Sequence, residues 1–161
     1  MNTDTPRALF ITWATYGTFL PGDSRGWRHR MHGQLPESHQ LRDWHLSRLT
    51  HEPAIMTNEM QKAADVAAQY LCKRRNWVSH AFAARSNHVH FVVSAAHHEP
   101  ALVRDQVKAE ILKQLRKQYL FSRDRPLWAA NGDIEFLDSE SEVFAAATYV
   151  RDAQDRKDRD R

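Results

Sequence analysis

The chain has 161 residues, which corresponds to a single domain of ordinary size. Hydrophobic residues make up 42% and charged residues 27%, with 5 Gly and 6 Pro, and this balance excludes collagen-like, low-complexity and wholly disordered chains. The single cysteine excludes an internal disulfide and a cysteine-based zinc site. The formal net charge is only +3, so charge alone does not identify a partner.

No segment has the pattern of a membrane or secreted protein. Apolar runs stay well below the ~18 residues that a membrane-spanning helix needs, and the first ten residues lack the layout of a secretory signal. We therefore expect a cytoplasmic protein with one domain over residues 1–154. The alternating charges of residues 155–161 are typical of a solvated, frayed end.

The first third of the chain combines a buried strand with a long polar segment. Residues 8–16 are apolar on both alternating faces, which predicts a strand in the middle of a sheet. A Pro-Gly-Asp stretch then predicts turns. From there to Ile55 the chain is irregular and rich in Trp, Arg and His, with a short helix expected near residues 41–49. A loop of this length in a compact domain indicates a functional role.

The middle of the chain predicts a helix and two strands. Over residues 58–75, Asn58 and Gln61 resemble a capping box. An apolar stripe with helical spacing follows, formed by Met60, Ala64, Ala67 and Leu71. Residues 77–85 and 87–95 then read as adjacent strands joined by a tight turn.

The last third predicts two more helices and a short strand. The first helix begins after Pro100, with one apolar side formed by Val103, Val107, Ile111, Leu115 and Tyr119. Residues 133–137 predict a short edge strand or a hairpin, and Ser139 with Glu142 opens a last helix to about residue 151. This order predicts an α+β fold with a ferredoxin-like antiparallel sheet, covered by helices on one face and left open on the other, plus a C-terminal helix.

The predicted strand over residues 87–95 contains a His-x-His pair. Successive side chains alternate along a strand, so His88 and His90 share one side while Val89, Phe91 and Val93 share the other. Two imidazoles on a rigid element form half of a metal site, and oxygen ligands and water would complete a site for Mn²⁺ or Mg²⁺. The structural alternative is a polar pair on a wet face of the sheet.

Tyr149 is the second candidate. With ~100° per residue, the apolar stripe of the last helix comprises Val143, Phe144, Ala147 and Val150, and Tyr149 projects nearly opposite to it. Small alanine neighbours would leave its ring accessible to a substrate. The structural alternative is a tyrosine at the edge of the core.

These residues resemble a known family. Residues 85–90 (RSNHVH) look like the HUH motif of the single-tyrosine DNA transposases, a group that includes the REP-associated tyrosine transposases. Residues 12–27 (TWATYGTFLPGDSRGW) are similar to the opening signature of one branch, and residues 145–150 with Gln154 resemble its catalytic-tyrosine helix. Residues 41–44, 52–53 and 108–109 add similarity in the same order, so the resemblance covers nearly the whole chain.

The resemblance implies metal-dependent nicking and strand transfer on single-stranded or hairpin DNA. By likeness, His88 and His90 would bind one Mg²⁺ or Mn²⁺, and Tyr149 would be the nucleophile. The expected intermediate is a 5′-phosphotyrosyl link with a free 3′-hydroxyl, which another 3′-hydroxyl can reverse without ATP. Members of the family act as monomers or as dimers, so a homodimer is compatible with the sequence. The expected location is the cytoplasm, on DNA of the nucleoid.

The third metal ligand has two candidates. The family pattern indicates Gln154, yet on an α-helix a residue five positions from Tyr149 lies ~140° away. Asp152 lies ~60° away and is a harder oxygen donor. We expect Gln154, with the helix bent or frayed at this point.

The family's basic hairpin is altered in this chain. Residues 128–135 (WAANGDIE) are neutral to acidic, and phosphate contacts supply much of the affinity for nucleic acids. We therefore expect DNA contacts at Arg25, Trp27 and Arg28 in the first loop, where cations and an aromatic ring lie together, and at Lys108. Two alternatives stay open: a regulator that binds hairpin DNA without cutting it, and a phosphoesterase that uses the His pair with activated water.

Overall fold

The computed structural model describes residues 6–18, 27–29 and 33–153, and for residues 27–29 it describes the backbone. In chain order the elements are β1 (Ala8–Ala14), β2 (Trp27–His29), β3 (Gly33–Leu35), α1 (His39–Ser47), α2 (Asn58–Arg75), β4 (Val78–Ala84), β5 (His88–Ser94), α3 (Pro100–Lys117), β6 (Asp133–Leu137) and α4 (Glu140–Thr148), followed by a π-helical turn (Tyr149–Ala153). The fold is α+β, as predicted from the sequence.

Four strands form one antiparallel sheet in the order β4-β5-β1-β6. β1 lies inside the sheet and β6 lies at an edge, which confirms both predictions. β2 and β3 pair with each other in a separate two-stranded sheet, where Trp27 is opposite Leu35. The sequence pattern of this segment had predicted an irregular loop, because these strands are too short to show an alternating pattern.

One face of the sheet is covered by α2 and α3. The alternation along β5 turns Val89, Phe91 and Val93 to this side, where all three are fully buried. Trp13 of β1 lies on the same side and is packed edge-on against Trp128. The predicted apolar stripes of α2 and α3 are buried here, except that Tyr119 lies beyond the end of α3 and is exposed.

The opposite face carries α4 and the π-helical turn, which pack against β4 and β5. Its small apolar cluster is formed by Ala8, Ala81, Val92, Leu137, Ala147 and Val150. The face is therefore partly covered, in contrast to the open face expected from the sequence. The covering element is short, so polar side chains of β5 remain half-buried rather than enclosed.

Two local details of the helices differ from the sequence-based expectation. The N-cap of α2 is Thr57, whose side chain accepts a hydrogen bond from the Met60 backbone, so Asn58 is the first helical residue and not the cap. Phe144 is 70% exposed, because α4 is only nine residues long and among its side chains only Ala147 is buried. The predicted Ser139 cap of α4 is present, with its Oγ accepting from the Glu142 backbone at 3.2 Å.

No helix within the described ranges is both long enough and apolar enough to span a bilayer.

Candidate functional site

His88 and His90 lie side by side on the partly covered face of the sheet. Their ring centroids are 4.9 Å apart, and both side chains are half-buried. The intervening Val89 is fully buried on the other face, so the backbone of β5 is anchored between the two imidazoles. The predicted alternation is confirmed, and it places two imidazoles on one rigid element.

Each imidazole is oriented through its Nδ1 atom. Thr12 Oγ1 lies 2.8 Å from Nδ1 of His90, across the β1–β5 register in which these residues are paired. Asn87 Oδ1 lies 2.7 Å from Nδ1 of His88. Asn87 is itself buried, and its backbone carbonyl accepts a hydrogen bond from the backbone N–H of Thr15 at 2.9 Å. Polar partners of this kind fix the ring plane and the tautomer of metal-binding histidines.

Tyr149 packs beside His90. The ring centroids of these two residues are 6.0 Å apart, and Phe10 of β1 lies 6.3 Å from Tyr149 and 5.6 Å from His90. The three rings therefore form one aromatic cluster on the same face as His88. The structure brings together His88, His90 and Tyr149, although Tyr149 is separated from the pair by about sixty residues of sequence.

Tyr149 is the first residue of the π-helical turn, directly after α4 ends at Thr148. Its backbone N–H donates to the carbonyls of Ala145 and Ala146, which continues the helical hydrogen bonding into the turn. The next residue, Val150, is fully buried in the apolar cluster of this face. The last helix therefore ends in a π turn, a feature that often occurs at functional sites, while the bend expected at Gln154 lies outside the described residues.

The third metal ligand is not identified by the described side chains. Within residues 6–18, 27–29 and 33–153, no three or more His, Cys, Asp or Glu side chains gather where a metal ion could bind. Asp152 lies in the π turn and is exposed. Gln154 lies outside the described residues. The described side chains accordingly bring together two imidazoles, those of His88 and His90, and metal binding by this pair stays a prediction.

Lys108 has a clear structural environment. The residue is buried in α3, and its Nζ donates to the carbonyls of Ala129 at 2.9 Å and Asn131 at 2.8 Å. In return, Trp128 Nε1 donates to the carbonyl of Lys108 at 2.9 Å. Burial lowers the pKa of the Lys108 ammonium below its ordinary value, and Arg104 lowers it further, whereas Asp105 opposes this shift. Lys108 therefore anchors the segment that precedes β6 onto α3.

The other predicted DNA contacts lie in the first loop. Arg25 lies outside the described residues. Trp27 and Arg28 begin β2, which the structure describes through its backbone. Their role in DNA binding stays a prediction.

Sequence reasoning missed the residues that orient the histidines. Thr12 and Phe10 lie on β1, opposite His90 and Val92 in the register, and Asn87 precedes the His pair. The alternation along residues 8–16 could have placed Thr12 and Phe10 on one face, but a single sequence does not fix the register between two strands.

No known family model matches this chain, and no curated protein matches it either. The functional interpretation therefore depends on the positions of His88, His90 and Tyr149 in the structure.

Proposed function

We propose that this protein is a metal-dependent enzyme that nicks single-stranded DNA and transfers the strand through a tyrosine, as the single-tyrosine HUH transposases do. The observation that supports this most strongly is the shared position of His88, His90 and Tyr149 on one face of the sheet. Two imidazoles beside a phenol suit metal-assisted attack on a phosphodiester. Both imidazoles and the Tyr149 ring are half-buried, so part of each ring is exposed on this face.

The donor set fits a divalent transition metal or Mg²⁺ that keeps water and oxygen ligands. In the tautomers that place a proton on Nδ1, Thr12 and Asn87 accept it, and Nε2 of His90 and of His88 carries the lone pair for a metal. A bound Mg²⁺ or Mn²⁺ would polarise the scissile phosphate and offset its charge. The ring of Phe10 stacks on the ring of His90 with an interplanar angle of 26°, and this contact helps to hold the imidazole in place.

Tyr149 performs the covalent step in this proposal. Its Oη attacks the phosphorus of the scissile phosphodiester, a new O–P bond forms, and the bond from phosphorus to the 3′-oxygen breaks. The phenolic proton is transferred overall to the departing 3′-oxygen, which becomes a free 3′-hydroxyl. Attack by a second 3′-hydroxyl on the phosphotyrosine reverses these changes and joins strands, so no high-energy cofactor is consumed.

Gln154, which the family pattern indicates, is the proposed third ligand. On an α-helix its spacing from Tyr149 would argue against it, but residues Tyr149–Ala153 form a π-helical turn and not an α-helix. Asp152 is the alternative, with an exposed carboxylate in the same turn.

The order of the elements supports a ferredoxin-like fold for the proposed catalytic domain. Apart from the small β2–β3 sheet and α1, the chain runs β1-α2-β4-β5-α3-β6, which is the order of a split βαβ arrangement. In this arrangement α4 and the π turn are an addition that carries the tyrosine.

The proposed substrate is hairpin-forming single-stranded DNA. Arg25, Trp27 and Arg28 are the proposed contacts, since cations beside an aromatic ring suit phosphates and unstacked bases. Lys108 is the fourth proposed DNA-binding residue. Because its ammonium already donates to the carbonyls of Ala129 and Asn131, it would contribute to DNA binding indirectly, by fixing the position of residues 129–131. A second copy of the chain in the active assembly is compatible with this proposal.

The decisive experiment is an adduct assay. We expect the protein, incubated with labelled hairpin single strands and Mn²⁺, to form a covalent protein–DNA species that withstands denaturation. Tyr149→Phe removes the nucleophilic oxygen and should abolish the adduct, while Tyr70→Phe on α2 is the matched control and should retain it. If the DNA is cleaved without forming an adduct, and Tyr149→Phe leaves that cleavage intact, the proposal is contradicted. This result would indicate a phosphoesterase that uses activated water.

One observation favours a second candidate, a regulator that binds hairpin DNA without cleavage. Residues 128–135, which run into β6, are neutral to acidic. The nearby cations of α3 donate to backbone carbonyls of this stretch: Lys108 as above, and Arg104 to Gly132 at 3.3 Å. Retarded DNA mobility in the same assay, with no adduct under any metal condition, would support this candidate instead.

A further inference from the structure

A groove on the same face as Tyr149 has no role in the proposed chemistry. It has a volume of about 480 Å³ and is lined by residues of β4, β5, α4 and the π turn, together with Arg7. Its lining includes Arg7, Ser94, Phe144 and Arg151. Ser94 is four residues from His90 on β5, which is ~13 Å along the strand. A short stretch of single-stranded DNA can span this distance from His90.

The base of the groove is fixed by polar contacts. Nε2 of His80 lies 2.8 Å from Ser94 Oγ, and the Ser94 hydroxyl donates to the carbonyl of Arg7. Burial lowers the pKa of the His80 imidazole, which favours its neutral form. The positive charge in the groove therefore comes from the two guanidiniums.

Both guanidiniums can bind a phosphate. Arg151 donates through Nη1 to the carbonyl of His80 at 3.2 Å, which uses one of its five N–H donors and anchors the side chain on β4. Arg7 forms an ion pair of 3.0 Å with Glu140, and both side chains are largely exposed. Exposed ion pairs are weak, whereas arginine–phosphate pairs are often bidentate and stronger. Arg7 can therefore exchange its carboxylate partner for a phosphate.

An aromatic ring lies at the side of the groove. Phe144 belongs to the lining and is 70% exposed, although its position on α4 had predicted burial. Exposed aromatic rings beside cations are how proteins bind single-stranded nucleic acids without sequence preference, because every base can stack on them. Val143 and Ala147 add apolar contact area beside it.

We infer that this groove binds one nucleotide unit of single-stranded DNA, with its phosphate at Arg151 and Arg7 and its base on Phe144. Resting on the proposed function, the inference adds a second contact for the substrate strand beside the His–Tyr site. Glu140 is the opposing charge in the groove, so its removal should strengthen binding.

The test measures binding without cleavage. A fluorescein-labelled single-stranded thymidine oligonucleotide is titrated by anisotropy in EDTA. We expect Arg151→Gln to weaken binding about fivefold and to reduce the salt slope by about 0.7, the value for one phosphate contact on a single strand. Phe144→Leu should weaken it about fivefold through lost stacking, and Glu140→Gln should strengthen it about threefold. The side chains of these three residues are exposed or at the rim, and thermal unfolding checks that each variant is folded.

Matched controls lie on α2, on the other side of the sheet. Arg75→Gln makes the same charge change and Tyr70→Leu the same type of ring removal at exposed positions, and both should leave Kd unchanged. Unchanged binding by the Arg151 and Phe144 variants, or equal weakening by the controls, would overturn the inference. An adduct lost in Tyr149→Phe with unchanged groove variants would defeat the inference alone. Weakened binding with no adduct in any variant would defeat the proposed function alone.

Discussion

The two faces of the four-stranded sheet use the same strands for different purposes. Toward α2 and α3, Trp13, Val89 and Phe91 are enclosed by apolar side chains, with exposures of 0–2%. Toward α4, the alternate residues of the same strands include Thr12, His88 and His90, which are half-buried and paired with polar groups or aromatic rings. The period of two along a strand thus lets stability be concentrated on one side and chemistry on the other.

Phe91 and His90 are adjacent on β5 and lie on opposite faces of the sheet, so substituting each of them tests whether the two faces differ in their contribution to stability. Phe91→Ala should lower the free energy of unfolding by about 3–5 kcal/mol because it opens a cavity in a fully buried site. His90→Ala removes a half-buried hydrogen bond and the ring contacts with Phe10 and Tyr149, and should cost only about 1–2 kcal/mol. Urea denaturation of both variants checks this. Equal losses would mean that the His face is as important for stability as the face under α2 and α3.

Cys72 tests how well the face under α2 is sealed. Burial raises the pKa of its thiol from 9.0 to about 11, so the reactive thiolate is about 100-fold scarcer at pH 8 than in an ordinary thiol. Alkylation of the native protein by iodoacetamide should therefore be at least about 100-fold slower than in urea. Similar rates in both conditions would contradict the enclosed position of this residue.

Lys108 separates a structural role from DNA binding. Lys108→Met leaves two carbonyls without their charged donor and should lower the free energy of unfolding by about 2 kcal/mol. Lys113→Met, on the same helix at an exposed position, should change it by less than about 0.5 kcal/mol. If both variants have the same free energy of unfolding, the contacts of Lys108 with residues 129 and 131 do not contribute to stability. Anisotropy with the folded variants measures the DNA contribution separately.

Thr12 gives the smallest expected effect and addresses the His face alone. Thr12→Val keeps the shape of the side chain but removes its hydrogen bond with His90 Nδ1, so it should weaken Mn²⁺ binding about tenfold and lower the free energy of unfolding by no more than about 1 kcal/mol. Isothermal titration calorimetry with MnCl₂ measures this. Unchanged affinity would show that Thr12 does not orient a metal ligand.

Much of the fold follows from residue patterns that act locally. The sequence predicted the bounds of α2 and β6, and it predicted that β5 has a core side and a side that carries the histidines. These features could be predicted because helical and alternating spacing depend only on residues of the same element. The Thr57 cap was missed because Asn58 is an equally suitable cap residue, and only backbone geometry distinguishes the two positions.

The site required information that no single element contains. Contact between His90 and Tyr149 depends on where α4 lies on the sheet, and the Thr12–His90 bond depends on strand register. The π turn differs from an α-helix by one residue in its hydrogen bonding and has no distinctive residue pattern, so the sequence did not predict it at Tyr149. The exposure of Phe144 likewise depends on how little of α4 the sheet can cover.

The most direct test is to locate the DNA-linked residue itself. The protein is reacted with a hairpin single strand and Mn²⁺, digested with nuclease and protease, and the modified peptide is sequenced by mass spectrometry. The proposed function predicts a nucleotide joined through its 5′-phosphate to Tyr149. A nucleotide attached to any other residue, or complete cleavage that yields only free DNA ends, would contradict it.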